Sequence, residues 1–430
     1  MFIIGRRTLV IILVVLFFLV GFFSVRYLNR PRIRLSGRYL TVNYRAKINP
    51  KKNYHLKLWD YKWPGPDGDT WYQPFIMKAI KDFENENPNI RVELTLLDFK
   101  DGPKEFAKAL ALGRAPDVYC SAYDIPEFNY QWQIPVGIFL KPQDLNIYYS
   151  SLRKLVTFDN YLLTLPRWSA PGIWIGNSEL MEKAGLSAGE IQKNGWSWQD
   201  FTKLNERTEP ICLGNYNYNG LLTQLLSYDG IEESNNSPGL VLDFLNYING
   251  PLPQKSDLEV NMFHLFLSGK AMFLGGVRPI IYDFIRQKTI EYQTGWEPVL
   301  LPIPCEQSGK VIIPVENGVI GVYRNNRTGS DDQLAAAARL AYYISTYPQI
   351  VPWQKLKVVP AVPDIAQQWA KSSESTESSE QLIKWFAEAN LCSLKLCPNY
   401  QTEVYPVLKG FLKGKITRED LERIILKNYK

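Results

Sequence analysis

Residue types that commonly act in catalysis or metal binding are sparse in this chain. The two histidines, His55 and His264, stand far apart in the sequence, which argues against a histidine-based metal cluster and against most pairings of a nucleophile with histidine. No cofactor is predicted. Carboxylates are plentiful, so a glycosidase with two carboxyl groups about 5–10 Å apart stays open, but no motif supports an enzyme.

The five cysteines are an odd number, so at least one of them has no partner within the chain. Cys392 and Cys397 are close enough in the sequence to form a local disulfide if the body of the protein lies outside the cytoplasm. Paired and unpaired states are both left open. As a metal site, the two cysteines lack further ligands.

Positive charge is concentrated at the N-terminus. The formal net charge is +6, yet residues 1–52 hold eleven lysines and arginines and no acidic residue. The rest of the chain carries 38 basic against 43 acidic residues. This distribution gives no basic face for nucleic acid, so no nucleic-acid partner is predicted.

An unbroken apolar run from Thr8 to Val25 follows Arg6 and Arg7. Its 18 residues, at about 1.5 Å each in a helix, span roughly the thickness of the hydrocarbon core. We predict one transmembrane helix in residues 1–25. A retained anchor is preferred to a cleaved signal peptide because small-residue cleavage sites are scarce. The expected location is the cell membrane, single-pass, with the soluble domain outside the cytoplasm.

Residues 26–53 are predicted to be a basic linker. Nine basic residues follow the apolar run and two precede it, which by the positive-inside rule favours a cytoplasmic body, although long domains override that rule. The linker either lies against anionic headgroups outside or is solvated, and both interpretations are left open.

Behind the linker, the pattern alternates between strands and helices. "YHLKLWDY" and "IRVELTLLDF" alternate as strands do, and the apolar residues from Trp71 to Phe83 share one helix face. Pro88 ends this helix, and Asp69 or Thr70 is expected to cap its start. A second helix and a third strand follow. This order predicts parallel strands with helices packed on the faces.

Two later segments carry local signals. "NSELMEKAGL" predicts a helix that Ser178 caps and Gly185 ends. "SSESTESSE", from Ser372 to Glu380, is polar and low in complexity, and we expect a mobile loop there.

Eight segments occur in the order found in one known family: "IMKAIKDFENENPNIRVEL", "KALALGRAPDVYCSAYD", "YLLTLPRW", "IWIGNSELMEKAGL", "GWSWQDFTKL", "FLSGKAMFLGG", "DDQLAAAARLAYYISTYPQ" and "LKVVPAVPD". With this ordered set, the chain from about Tyr54 onward resembles a family 1 extracellular solute-binding protein, the carbohydrate-type receptor of ABC importers. It departs from the family in lacking a lipid-anchor cysteine and in "GGVRP", Gly275 to Pro279, where relatives often have an aromatic residue.

The resemblance implies an α/β, two-lobed periplasmic-binding-protein-like fold with hinge crossovers and a solute cleft between the lobes, here preceded by the transmembrane helix. The expected boundaries are 54–164 plus 317–357 for lobe 1 and 165–316 plus 358–430 for lobe 2. In open parallel sheets, ligands sit beyond the carboxyl ends of the strands. The segments "LWDYKWPGPDGD" and "CSAYDIPEF" are therefore expected to face the cleft.

A sugar-binding cleft uses aromatic rings against C–H faces and polar groups against hydroxyls. Aromatic residues make up 13% of the chain, which is ample for such rings. The expected rings are Trp59, Trp63, Trp168, Tyr218 and Tyr228. The expected hydrogen-bonding groups are Asp60, Asp124, Asp229, Arg278, Glu316 and Asn317; the resemblance places Asp124. Each has a structural alternative: the tryptophans in a core or lobe edge, Asp60 in a turn cap, Arg278 in an ion pair between lobes.

The resulting hypothesis is a membrane-tethered extracellular binding protein, monomeric and not an enzyme, that captures a sugar or oligosaccharide and delivers it to ABC permease subunits. One alternative is a binding protein that senses its ligand and signals to a membrane partner. A glycan-active enzyme and a scaffold without ligand are the further alternatives.

Overall fold

The computed structural model describes residues 31–63, 68, 70–121, 128–205, 213–215, 264–305, 309–372, 376–393, 400–412 and 414–428. Within these ranges the strands, in chain order, are β1 (Arg32–Leu35), β2 (Arg38–Thr41), β3 (Tyr54–Tyr61), β4 (Ile90–Leu97), β5 (Val118–Ser121), β6 (Gln133–Ile134), β7 (Thr157–Phe158), β8 (Tyr161–Leu162), β9 (Leu165–Pro171), β10 (Ile173–Asn177), β11 (Leu213–Asn215), β12 (Phe273–Val277), β13 (Pro298–Leu301), β14 (Ile312–Tyr323), β15 (Val359–Pro360) and β16 (Asn390–Ser393).

The helices of the same ranges are α1 (Gln73–Glu86), α2 (Gly102–Ala111), α3 (Pro142–Leu145), α4 (Ser150–Leu155), α5 (Ser178–Lys183), α6 (Ala188–Asn194), α7 (Trp198–Asn205), α8 (Pro279–Glu291), α9 (Asp331–Thr346), α10 (Val351–Leu356), α11 (Pro363–Lys371), α12 (Thr376–Glu388), α13 (Tyr405–Leu412) and α14 (Arg418–Asn428). A 3-10 helix spans Val136–Phe139, and a π-helical segment spans Tyr400–Val404.

The unit β3–α1–β4–α2–β5 confirms the predicted alternation. Strand β3 pairs in parallel with both β4 and β5. Helix α1 buries the predicted face, Ile76, Ala79, Ile80 and Phe83. The expected cap is wrong, because α1 begins at Gln73, behind Tyr72, with no side-chain cap bond. A proline in the first turn already fixes a helical φ there, so the helix starts later than Thr70; Asp69 lies outside the described residues.

Among the described residues, the larger sheet has eight strands. Six of them follow the order β15-β9-β14-β5-β3-β4, and β6 and β16 also pair with β14. All twelve residues of β14 are buried, since strands lie on both sides of it and helices cover the sheet. Helix α9 contributes Leu334, Ala337 and Ile344 to the same core.

In the part of the chain that the structure describes, the smaller sheet has four strands in the order β11-β12-β10-β13. One of its faces packs in a second core that includes Trp174, Trp196, Phe201 and Phe273. Helices α13 and α14 close this core with Leu408 and other apolar residues. The C-terminal helices therefore belong with the smaller sheet.

Two strands lead from one sheet towards the other. Strand β9 lies in the larger sheet and continues through Gly172 into β10 of the smaller sheet. In return, the chain leaves β13 of the smaller sheet and enters β14 of the larger one. The expected lobe boundaries at residues 164 and 316 fall next to β9 and inside β14, and they stay predictions.

Strands β1 and β2 form an antiparallel hairpin inside the segment expected to be a linker. Its apolar residues Ile33 and Leu40 face each other in the strand register and lie in the core of the larger sheet, as does Val42. Part of the basic segment is therefore folded onto the body, because alternate positions in both strands are apolar.

Two other sequence expectations need correction. Helix α5 is capped by Asn177, whose side chain accepts a bond from the Leu180 N–H, so Ser178 is the first helical residue and not the cap. Helix α12 begins at Thr376, inside the segment expected to be a loop. Its later residues Leu382, Trp385 and Phe386 recur at helical spacing in the core, and this packing extends the helix back into the polar stretch.

No helix of the described ranges is both long and apolar enough to cross a membrane. The apolar run of residues 1–25 lies outside those ranges.

Candidate functional site

The candidate site lies on β9 and β14, where the two sheets are joined. Trp168 on β9 stands opposite Gly318 on β14, and Ser169 stands opposite Asn317. The indole of Trp168 lies directly over Gly318, where a Cβ atom would overlap the ring. Any larger residue at position 318 would therefore displace the indole.

Trp63 follows β3 and contacts Trp168. Their ring centroids are 5.3 Å apart at an interplanar angle of 79°, an edge-to-face arrangement. The backbone oxygen of Trp63 accepts a 2.8 Å bond from the indole N–H of Trp71, which ties Trp63 to the residues just before α1. Both rings of the pair are almost fully buried.

The buried indole N–H groups of Trp63 and Trp168 have no acceptor among the residues that the structure describes. A buried donor without an acceptor costs about 1–3 kcal/mol, so each of these N–H groups could be stabilised by a bound polar group. The pair therefore combines an apolar surface with two donors for a bound polar group.

Glu316 on β14 supplies an acidic group on the same strand. Its carboxylate forms an ion pair with the guanidinium of Arg278, which lies between β12 of the smaller sheet and α8. Burial raises the pKa of the Glu316 carboxyl, and the positive charge of Arg278 opposes that rise. The next residue, Asn317, bonds through its side-chain oxygen to the Ser169 hydroxyl.

Asp60, at the end of β3, is fully buried and has a different set of partners. Its Oδ2 accepts 2.8 Å bonds from Arg167 Nη1 and from the Tyr72 hydroxyl. The Arg167 guanidinium in turn lies over the ring of Trp353, 5.2 Å from its centroid. Burial raises the pKa of the Tyr72 hydroxyl well above its ordinary value, so that group stays a donor. This network ties β3 to β9 and to the start of α1.

The structure brings five of the predicted residues to the β9–β14 junction: Trp63, Trp168, Arg278, Glu316 and Asn317. Trp59 is partly buried and alternates with Asp60 along β3, so it lies on the other face of that strand. Asp60 has no exposed surface. Asp124, Tyr218, Tyr228 and Asp229 lie outside the described residues. All eleven roles stay predictions.

Several residues of the site were missed from the sequence. Arg167 had a usable signal, because a charged residue inside the otherwise apolar strand "LPRWSAP" needs a buried counter-charge. Gly318 and Ser169 had no signal in the sequence, since their importance comes from the register between β9 and β14. In the described part of the chain, no three His, Cys, Asp or Glu side chains are grouped so as to hold a metal ion.

Known proteins resemble the chain in sequence pattern and in fold. The family model described as bacterial extracellular solute-binding protein matches residues 65–229. No curated protein matches the sequence significantly.

Solved structures of similar fold cover most of the chain. The sugar-binding protein MalE from the phytopathogen Xanthomonas citri is 14% identical, with a TM-score of 0.60 over 87% of this chain and 96% of that one. The extracellular solute-binding protein family 1 from Alicyclobacillus acidocaldarius is 14% identical, with a TM-score of 0.60 over 88% and 98% of the two chains. The cyclic alpha-maltosyl-1,6-maltose binding protein from Arthrobacter globiformis is 13% identical, with a TM-score of 0.56 over 88% and 98%.

The molecule thus has the two-lobed α/β fold of periplasmic-binding-type proteins. The family match and the shared fold confirm the resemblance to family 1 extracellular solute-binding proteins.

Proposed function

We propose that this protein is a membrane-tethered extracellular solute-binding protein that captures a sugar or oligosaccharide between its two lobes and delivers it to an ABC importer. The observation that carries the solute site is the contact of Trp63 with Trp168 at the junction of the sheets, with both buried indole N–H groups lacking an acceptor among the described residues.

The chemistry of the junction suits a sugar. An indole face packs against the apolar C–H side of a pyranose, while its N–H donates to a ring or hydroxyl oxygen. Glu316 and Asn317 add oxygens that accept bonds from sugar hydroxyls, and Arg278 adds donors. A few polar groups among aromatic rings is the usual composition of a small-molecule site.

The neighbours in fold support a saccharide as the solute. They include a sugar-binding protein and a cyclic alpha-maltosyl-1,6-maltose binding protein. The aromatic content of the chain fits the same class of ligand. The ABC importer enters as the partner that the family implies.

Lobe closure follows from the two connections between the sheets. Strands β9 and β14 carry the site and also lead towards the smaller sheet, so a solute held there contacts both lobes only when they approach. Closure is then driven by the greater affinity of the closed state for the solute.

The apolar run of residues 8–25 supports the tether, and delivery to an importer requires the body to face outward. The expected monomer and the external location belong to this proposal.

The test is a thermal-shift screen of the full chain in polyoxyethylene-ether micelles, because maltoside detergents would compete for a sugar site. Maltose, maltodextrins, xylo-oligosaccharides, tagatose, amino acids and polyamines form the panel. A ligand at a hundred times its dissociation constant adds about 2.7 kcal/mol of stability, enough for a shift of a few degrees.

A selective shift with one saccharide class is the expected result. A shift with amino acids or polyamines alone would contradict the sugar assignment and keep the binding function. No shift with any member would contradict solute binding. Chromatography of the incubated saccharides serves as the control, since new products would indicate an enzyme.

A further inference from the structure

The hairpin β1–β2 presents two unlike faces. The cross-strand pair Ile33–Leu40 points into the core of the larger sheet, and the neighbouring pair Arg34–Tyr39 points outward. Arg32 lies on the same outward face two residues before Arg34, and all three outward side chains are exposed, Tyr39 to 69%. The outward face therefore carries two arginines and an aromatic ring.

The hairpin is held firmly on the body. Its turn is fixed where the Ser36 N–H donates to Asp159 Oδ2 at 2.6 Å. Its second strand ends where Arg324 Nη2 donates to the Thr41 oxygen at 3.1 Å. Arg38, on the inward side of the register, lies over the ring of Tyr130, 4.8 Å from its centroid. The outward face thus keeps a fixed orientation relative to the larger sheet.

The chain length places this face near the predicted anchor. Six residues separate the apolar run, which ends at Val25, from β1, which begins at Arg32, and two of the six are arginines. Even fully extended, that segment reaches about 25 Å, and any other conformation is shorter. The hairpin is consequently the first folded element that follows the apolar run in the described chain.

Charge complementarity identifies the surface that this face fits. The chain beyond residue 52 has more acidic than basic residues and would be repelled by an anionic bilayer, whereas residues 31–53 contain seven basic and no acidic residues. Arginines near an anionic surface are attracted to its phosphates, and tyrosine rings favour the interface between headgroups and acyl chains.

We propose that the outward face of the hairpin, Arg32, Arg34 and Tyr39, docks on the anionic phospholipid surface of the membrane that anchors the chain. This inference rests on the proposed tether. Docking gives the hairpin a role in lobe closure. The larger sheet stays fixed at the membrane while the smaller sheet moves.

The test is photocrosslinking of the full chain in lipid nanodiscs. A Tyr39→benzoylphenylalanine variant reports contact with lipid, and a Tyr292→benzoylphenylalanine variant is the matched control, since Tyr292 is also exposed but follows α8 beside the smaller sheet. We expect roughly tenfold more phospholipid adduct at position 39 in phosphatidylglycerol discs than in phosphatidylcholine discs, and no such difference at position 292.

Three arginine variants in the Tyr39→benzoylphenylalanine background separate the effect of the outward face from that of the overall charge. Arg34→Gln is expected to reduce the lipid adduct, and Arg32→Gln with Arg34→Gln to remove the preference for anionic lipid. Arg38→Gln changes the charge equally; Arg38 is also exposed, but it belongs to the opposite face of the hairpin and lies over Tyr130, so the preference should persist.

Equal adducts in both lipids, or equal sensitivity to Arg34→Gln and Arg38→Gln, would overturn the docking surface and leave the tether intact. Release of the chain from both kinds of disc would overturn the tether and the docking surface together. The thermal-shift screen with saccharides is independent of either result.

Discussion

Two carboxylate–guanidinium pairs each have one member on the paired strands β9 and β14, and they differ in their surroundings. Asp60 and Arg167 lie within the larger sheet and have side-chain exposures of 0% and 2%. Glu316 and Arg278 join β14 to the end of β12 in the smaller sheet, and the Arg278 side chain is 43% exposed. The Asp60 carboxylate has several donors, whereas Glu316 depends chiefly on one half-exposed partner.

The two pairs therefore differ in how easily they can rearrange. A fully buried, fully bonded pair cannot rearrange without leaving a charge in the core. A pair with one exposed member can open at small cost, because water solvates the arginine that leaves. We therefore expect the Asp60 network to hold the site in shape and the Glu316–Arg278 pair to change when a solute enters.

The largest expected effect is that of Asp60→Ala on stability. It leaves the guanidinium of Arg167 buried without its counter-charge, at a cost of about 3–5 kcal/mol in the free energy of unfolding. Urea unfolding followed by tryptophan fluorescence measures the loss. Arg278→Ala is the comparison variant and should cost clearly less. A loss at Asp60 no larger than that at Arg278 would remove the distinction between the two pairs.

The second prediction concerns pH. Because the folded protein holds the Glu316 proton to a higher pH than the unfolded chain does, the unfolded state releases its proton first as pH rises. The free energy of unfolding should therefore fall as pH rises from about 4.5 towards the raised pKa, by at most about 1.4 kcal/mol per pH unit from this group. Glu316→Gln should flatten that part of the stability profile. An unchanged profile would show that the pKa of Glu316 is the same in the folded and the unfolded protein.

Trp168→Phe should weaken solute binding while keeping most of the ring. Loss of one neutral hydrogen bond to a bound sugar costs about 0.5–1.5 kcal/mol, a two- to tenfold rise in the dissociation constant. The matched control is Trp196→Phe, which removes the 3.0 Å bond from an indole N–H to the Pro302 oxygen in the other core. That control should lower stability and leave affinity alone. Equal effects of both variants on affinity would argue against a site at Trp168.

The smallest effect is expected for the ion pair that joins α8 to the residue behind α10. Lys357, behind α10, forms a 2.7 Å ion pair with Asp283 of α8, and both side chains are about a quarter exposed or less. Asp283→Asn should change stability by about 0–1 kcal/mol, and less in high salt. Thermal unfolding at low and high ionic strength measures this. A salt-independent loss above that range would indicate a structural pair like Asp60–Arg167.

The first half of the larger sheet could be predicted because its signals are local. The alternation in Tyr54–Tyr61 and the helical spacing of Ile76, Ala79 and Phe83 depend only on neighbours in the chain. Helix starts were less predictable. Ser178 was expected to cap its helix, but the preceding asparagine takes that role. Both residue types are good caps, so the sequence does not distinguish two adjacent starting points.

The sequence predicted the residue types of the site better than the contacts between their side chains. Trp63 and Trp168 lie 105 positions apart, so their contact depends on how β3 and β9 are placed in one sheet. Asp60 was predicted as a direct ligand group, yet it bonds to Arg167, a partner that only the sheet order brings near. The docking of Ile33 and Leu40 likewise depends on distant parts of the chain.

The most direct test of the central claim is a calorimetric titration of the full chain with the saccharide selected by thermal shift and with one that gave no shift. Saturable binding of the first at one site per chain, weakened by Trp168→Phe and unaffected by Trp196→Phe, is the predicted result. Absence of saturable binding, or binding that neither tryptophan variant alters, would contradict a sugar site at the junction of the two sheets.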